Sequence, residues 1–283
     1  MILKTADSKK DVFYLINKHS GVVSRAEAEI LLEFLFNCEK LDLYVKEFII
    51  NKTIEELYDL LVSRRLSGEP AQYITGRAEF MGLGFIVTKD VLIPRPETEI
   101  LVNEIVGARF IAPKILDLCT GSGNIAVSLA KLIPQAEIIA TDISENALKI
   151  AEKNAALHQA SASIKFYKGN LFNALMFAEN PKFDIIVCNP PYIKEADFPF
   201  LQKEVRLEPR IALNGGKDGL DFYRDTAKES RRYLKKGGSI LLEIGFGQRE
   251  AVEDIFLSHN IFDVYRIIRD FSGIERAIWI NLL

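Results

Sequence analysis

The sequence predicts an α/β protein: a mostly parallel sheet covered by helices on both faces, with a small N-terminal helical domain and a β-hairpin connector. Three observations carry this. Strands and helices alternate after residue 114, apolar residues recur at helical spacing through the first seventy residues, and glycines punctuate short aromatic and β-branched runs in between. The 283 residues suit two unequal domains, and a hydrophobic share of 48% provides for a sizeable core. The 36 Lys+Arg against 39 Asp+Glu leave a net charge of -3, which excludes a whole-protein basic field for gripping nucleic acid.

The helical leader begins with Ser24 and Glu27, a capping-box signature followed by apolar Ile30, Leu31, Phe34 and Leu35. Thr53 with Glu56 repeats the signature ahead of Leu57, Leu60 and Leu61, and Gly68 and Pro70 stop that helix. From Tyr73 to Pro96, glycines at 76, 82 and 84 separate runs such as Phe85-Ile86-Val87, the texture of a hairpin. Pro96 suits the first turn of a helix, with Glu97 and Glu99 near its positive end. The expected domains are therefore 1–75, helical; 76–95, hairpin linker; and 96–283, the α/β domain.

In the α/β part, residues 114–118 read as a buried strand, then a glycine turn and a helix over 124–132. Residues 138–141, 164–167 and 184–188 are further strands, with a helix over 145–157. A helix is expected near 220–234. Gly237-Gly238 then turns the chain into a strand over 239–244, and one more helix and two more strands follow. Ligands of such sheets bind beyond the carboxyl ends of the strands.

Cys38, Cys119 and Cys188 are too few and too widely spaced for a disulfide framework or a zinc site. His19, His158 and His259 show no ligand-like pairing, so no metal is expected. Charges follow the first residues too soon for a signal peptide, and no apolar run approaches a membrane span. The expected address is the cytoplasm.

The first turn of the α/β part is Asp117-Leu118-Cys119-Thr120-Gly121-Ser122-Gly123-Asn124, with Ala126 completing a Gly-x-Gly-x-x-Ala core. Glycines let the backbone turn sharply and approach a ligand, and the following helix offers free N–H groups. Asp142 closes the second strand, where a carboxylate can bind a ribose diol. This pattern alone fits NAD, FAD or S-adenosylmethionine. Asp117 tilts the choice, because a carboxylate there suits a cationic ligand and would repel a pyrophosphate.

The strand over 184–188 runs straight into Asn189-Pro190-Pro191-Tyr192. Two prolines fix the backbone and cannot continue a ladder, which leaves a rigid carbonyl pointing outward. The Asn189 side chain and the Pro190 carbonyl can each accept one N–H of a planar –NH2 group, beside the ring and hydroxyl of Tyr192. Holding such a nitrogen within attack distance of an electrophile supplies much of a methyl transfer, and acceptors that strengthen as it becomes positive supply more.

With these residues in view, the chain resembles the release factor glutamine methyltransferases over nearly its whole length. The resemblance rests on residues 68–76 (Gly-Glu-Pro-Ala-Gln-Tyr-Ile-Thr-Gly), 93–99 (Ile-Pro-Arg-Pro-Glu-Thr-Glu), 117–123 and 189–192, with 212–220 and 242–245 in support. It implies a helical substrate-docking domain joined by a hairpin to a seven-stranded, Rossmann-like methyltransferase sheet. It implies an enzyme that uses S-adenosylmethionine, yields S-adenosylhomocysteine, and methylates the glutamine N5 in the Gly-Gly-Gln loop of class I release factors; a monomer is expected. Carried over, Asp117 and Cys119, Thr120, Gly121, Ser122 and Gly123 line the methionine part of the cofactor, Asp142 the ribose, and Asn170 and Leu171 the adenine. Asn189, Pro190, Pro191 and Tyr192 grip the glutamine, with Asn189, Pro190 and Tyr192 as catalytic residues, and Leu92 walls its side chain. Arg95 and Glu97 either contact the substrate loop or pair with each other across the helix start.

Three further segments carry mainly structural readings. Phe80 is expected in the hairpin core, Glu243 as a buried polar anchor, and Lys46, Lys52, Arg64 and Arg65 as a solvated face that could also dock a partner. Two other functions compete. An adenine N6 methyltransferase acting on DNA or RNA would use the same Asn-Pro-Pro-Tyr segment, with Tyr192 stacked on a flipped base. The acidic balance and the lack of a recognition domain count against direct nucleic-acid binding. A nicotinamide-dependent oxidoreductase rests on the glycine loop and Asp142 alone.

Overall fold

The computed structural model describes residues 11–176 and 181–283. The first residues, whose early charges argue against a signal peptide, lie outside these. The chain divides into two compact units, Met1–Gly76 and Arg77–Leu283, so the hairpin expected as a linker belongs to the second.

The first unit holds α1 (Val12–Lys18), α2 (Arg25–Phe36), α3 (Asp42–Val45), α4 (Lys52–Leu66) and α5 (Ala71–Thr75) around Leu15, Leu31, Leu32, Tyr58 and Val62. The capping box at Ser24 and Glu27 is complete. The cap of α4 is Asn51, not Thr53: its side-chain oxygen accepts from the Ile54 N–H at 3.0 Å, and Thr53 already lies inside the helix. Asn51 is extended there, the conformation a cap needs. Lys46, Lys52, Arg64 and Arg65 are each paired with a neighbouring carboxylate, respectively Asp42, Glu56, Glu69 and Glu27.

The second unit opens with β1 (Arg77–Phe80) and β2 (Leu83–Ile86) in antiparallel register. Their two-residue turn, Met81-Gly82, has positive φ at both positions, which matches the twist of the strands. Met81 is held there by its N–H, which donates to Glu99 at 2.6 Å. Phe80 is fully buried against the edge of Phe85, as a core residue.

A 3-10 turn at Pro96–Thr98 leads into α6 (Glu99–Gly107). Then come β3 (Lys114–Leu118), α7 (Asn124–Leu132), β4 (Glu137–Asp142), α8 (Glu145–Leu157), β5 (Ile164–Lys168) and β6 (Phe183–Cys188). The chain ends with α9 (Asp221–Glu229), β7 (Leu234–Glu243), α10 (Arg249–Leu257), β8 (Phe262–Arg269) and β9 (Glu275–Leu282). The strands form one seven-stranded sheet in the order β5-β4-β3-β6-β7-β9-β8, in which β9 runs antiparallel to both neighbours and the rest of the ladder is parallel. One face is packed by the hairpin, α6 and α7, the other by α9 and α10.

The strand over 239–244 starts earlier than its glycine pair suggests. Leu234 already pairs with Phe183, and the register then shifts so that Ser239 faces Ile185, the residues between forming a bulge through Gly237 at φ 72°. The helix before it correspondingly ends at Glu229. From β3 the chain winds outward through β4 and β5, then returns to lay β6 on the other side of β3. The crevice at that reversal, beyond the carboxyl ends of β3 and β6, is where such sheets bind ligands.

Candidate active site

The loop after β3 is built from positive-φ positions at Cys119, Gly121 and Gly123. Gly123 is there for space as well as for φ, since a Cβ would lie 3.0 Å from the Ala151 Cβ of α8. The Thr120 N–H donates to the Thr141 carbonyl at 2.9 Å, and its hydroxyl donates to Asp117 Oδ2 at 2.6 Å. The loop is also tied to Asp142, whose Oδ2 accepts from the Gly121 N–H at 2.9 Å and whose Oδ1 accepts from Ser144 N–H at 2.8 Å. Each oxygen keeps a lone pair for a ligand. Burial raises the Asp142 pKa, opposed by these backbone donors.

Asp117 is fully buried beneath the loop, and its Oδ1 has no hydrogen-bond partner among the described residues. Burial pushes its carboxyl up to about 7.

At the end of β6, the Asn189 side-chain N–H donates to Thr98 Oγ1 at 3.0 Å, and Thr98 donates onward to Glu243 Oε2 at 2.6 Å. Among the described residues no donor reaches the Asn189 side-chain oxygen or the Pro190 carbonyl. The Tyr192 hydroxyl donates to Glu243 Oε1 at 3.4 Å, and burial raises its pKa, so it stays a neutral phenol. Gln248 fixes the segment from behind. Its amide nitrogen donates to the carbonyls of Tyr192 and Gly219, and its oxygen accepts from the Gly245 N–H.

Between the glycine loop and Asn189 lies a cavity of about 220 Å³. Of the residues singled out from the sequence, Leu92, Cys119, Gly121, Asp142, Asn170, Leu171, Asn189 and Pro191 line it. Asp117, Thr120, Ser122, Gly123, Pro190 and Tyr192 do not line it, and neither do Arg95 and Glu97. Those two do not pair with each other. Arg95 bonds Glu208, which also accepts from the Ile93 N–H at 3.0 Å, and Glu97 lies 3.8 Å from Arg276. Sequence reasoning missed Thr141, Gly169, Arg210, Ile211 and Phe222 on the cavity wall. Gly169 had a signal, a glycine directly after a strand, and its Cα hydrogen faces Ala174 so closely that a Cβ would lie 2.6 Å from that backbone. Among the described residues no cluster of side chains could hold a metal ion, and no helix is long and apolar enough to cross a membrane.

Residues 96–205 match the family model of the methyltransferase small domain, and residues 19–76 that of the PrmC N-terminal domain. The release factor glutamine methyltransferase of Geobacter sulfurreducens is 42% identical over 258 residues, which cover 90% of this chain and 88% of that protein. Its counterpart in Thermodesulfovibrio yellowstonii is 38% identical over 281 residues, covering 98% and 97%. The crystal structure of a methyltransferase from Pyrococcus furiosus shares the fold with a TM-score of 0.53 at 18% identity, over 78% of this chain and 96% of that one. The chain belongs to the release factor glutamine methyltransferase family.

Proposed function

We propose that this enzyme transfers a methyl group from S-adenosylmethionine to the side-chain N5 of the glutamine in the Gly-Gly-Gln loop of class I release factors. The observation that carries the reading is a cavity bounded by Asn189 and Pro191 on one side and by the glycine loop on the other, with Asn189 Oδ1 and the carbonyl of the neighbouring Pro190 left without a donor among the described residues. The cavity suits the cofactor: Asp142 keeps lone pairs for a ribose diol, Asn170 and Leu171 line one wall, and glycine at 121 allows close approach. The cofactor, when bound, supplies an electrophilic sulfonium methyl and leaves as S-adenosylhomocysteine.

The chain's own residues supply position and electrostatics. An amide nitrogen is a poor nucleophile because its lone pair is delocalised. Asn189 and Pro190 each accept one of its N–H bonds, which turns the nitrogen's face toward the methyl and removes most of the entropic cost of finding that geometry. As the N–C bond forms and the C–S bond breaks, the nitrogen becomes positive and both hydrogen bonds strengthen. One N–H proton then passes to water. Tyr192 acts through its ring and through Glu243, because its hydroxyl is turned to that carboxylate. The helical unit, with exposed apolar Leu41, Val45 and Ile49, serves as the release factor's docking domain. The enzyme works as a cytoplasmic monomer without a metal.

The test incubates the protein with labelled S-adenosylmethionine and either release factor or DNA, and maps the label by peptide mass spectrometry. Label on the loop glutamine, abolished in Asn189→Ala, is expected. Label on DNA alone would replace the reading with an adenine N6 methyltransferase. Full activity of Asn189→Ala would remove the assigned mechanism.

A further inference from the structure

Asn189 has two chemically opposite ends, and only its oxygen can serve a substrate –NH2 group. Which end faces the cavity is decided two residues away. Thr98 has a single hydroxyl proton and gives it to Glu243 Oε2 at 2.6 Å, so toward Asn189 it can only accept. The Asn189 –NH2 must then turn inward, and its oxygen turns outward. Thr98 and Glu243 are both buried, 1% and 2% exposed, so water does not compete for either bond. Glu243 is itself held by the Tyr192 hydroxyl at Oε1 and by the Tyr223 hydroxyl, which donates to its backbone carbonyl at 3.0 Å.

We propose that Thr98 and Glu243 are positioning residues that set the polarity of the Asn189 amide, so that it presents an acceptor to the substrate nitrogen. The proposal rests on the methyl-transfer reading above. The relay can run backwards. With a proton on Glu243 Oε2, the acid donates to Thr98, the Thr98 hydroxyl donates to Asn189 Oδ1, and the Asn189 amide offers its own –NH2 to the substrate's. Donor then faces donor, and the substrate nitrogen loses one of its two acceptors.

Burial raises the Glu243 carboxyl to about 7, against the lowering effect of the Thr98 and Tyr192 hydroxyls. The charged and titratable groups around it are Glu97 from the 3-10 turn, Arg276 from β9, Tyr192 from the loop after β6, Tyr223 from α9 and Cys188 from β6. Glu97 pushes the Glu243 pKa up and Arg276 pulls it down. Burial raises Tyr192, Tyr223 and Cys188, which stay protonated near neutrality, while Asp270 raises Arg276, which stays charged. Glu243 is therefore the member of the relay whose proton comes and goes near neutral pH.

The test measures kcat and KM for release factor, as a function of pH, in the full-length enzyme and in Thr98→Val, Thr98→Ser and Glu243→Gln. Wild-type kcat is expected to rise with pH through an apparent pKa near neutrality. Thr98→Val, of the same shape without the hydroxyl, should lower kcat at least about tenfold above that pKa, with KM and S-adenosylhomocysteine affinity within about threefold. Its acidic limb should flatten, as should that of Glu243→Gln, and Thr98→Ser should restore both rate and limb. A merely structural threonine would change stability and leave the pH profile intact. Wild-type rate and pH profile in Thr98→Val, with glutamine methylated, would overturn the proposal alone. If Thr98→Val does not fold, a wild-type kcat without an acidic limb overturns it equally. No glutamine methylation by the wild type would remove the underlying reading, and the proposal with it.

Discussion

Replacing Asp142 with Asn tests the proposed cofactor site where its geometry is most demanding. The carboxylate gives one oxygen to each of two backbone donors, the Gly121 N–H at 2.9 Å and the Ser144 N–H at 2.8 Å. Asparagine has one acceptor oxygen, so either rotamer sets an –NH2 against a backbone N–H. A hydrogen bond to a charged group contributes about 1.5–3 kcal/mol. Gly121 and Ser144 are half-buried, so water replaces part of that loss and the lower figure applies to the loop. Loss of a charged acceptor for the ribose hydroxyls adds a second contribution of similar size. At about 1.4 kcal/mol per decade, the two together, about 3 kcal/mol, weaken cofactor binding about 100-fold. Titration calorimetry with S-adenosylhomocysteine reads this directly, and thermal denaturation of the free protein controls for folding. Binding within about threefold of wild type would show that Asp142 neither shapes the loop nor meets the ribose.

Two further perturbations follow from burial and backbone shape. Asp117 is raised from 3.8 to about 7 by burial, so between those values the folded chain keeps a proton that the unfolded chain has lost, and stability falls as pH rises through that window and levels off above it. Asp117→Asn should therefore gain on wild type with rising pH, by up to on the order of 4 kcal/mol, in urea denaturation of the ligand-free protein; parallel pH curves would refute this. Gly123→Ala combines φ +78° with a Cβ 3.0 Å from Ala151, whereas Gly237→Ala has φ +72° with nothing within 4 Å. Both carry the left-handed strain of about 1–2 kcal/mol, so the Gly123 variant should melt lower than the Gly237 variant, and equal melting temperatures would discount the packing against α8.

Much of the fold and site was legible because its determinants are local. The glycine turn after β3 and the proline-fixed segment after β6 are each spelled within a few consecutive residues, and the strand alternation puts both at one edge. What sequence reading missed was non-local or rested on fine competition. The Thr98–Glu243 bond spans 145 residues and Arg95–Glu208 spans 113, so neither spacing nor composition marks them as partners. At the start of α4, Asn51 and Thr53 are both competent caps, and the extended backbone at Asn51 decides between them. The early start of β7 depends on Leu234 finding Phe183, a pairing that a glycine pair in between conceals.

Among the described residues, the side chain of Asn154 ties the hairpin to the loop after β3. Asn154 of α8, fully buried, accepts from the Ile86 N–H at 2.7 Å, donates to the Ile86 carbonyl at 3.0 Å, and donates to the Ser122 carbonyl at 2.8 Å. Opening either partner would strand buried polar groups on the other, so β2 and the loop over 119–123 form one cooperative unit in local unfolding. A ligand that seals the loop thereby also slows solvent exchange at the Ile86 amide, and the hairpin becomes a reporter of occupancy in a site it does not line.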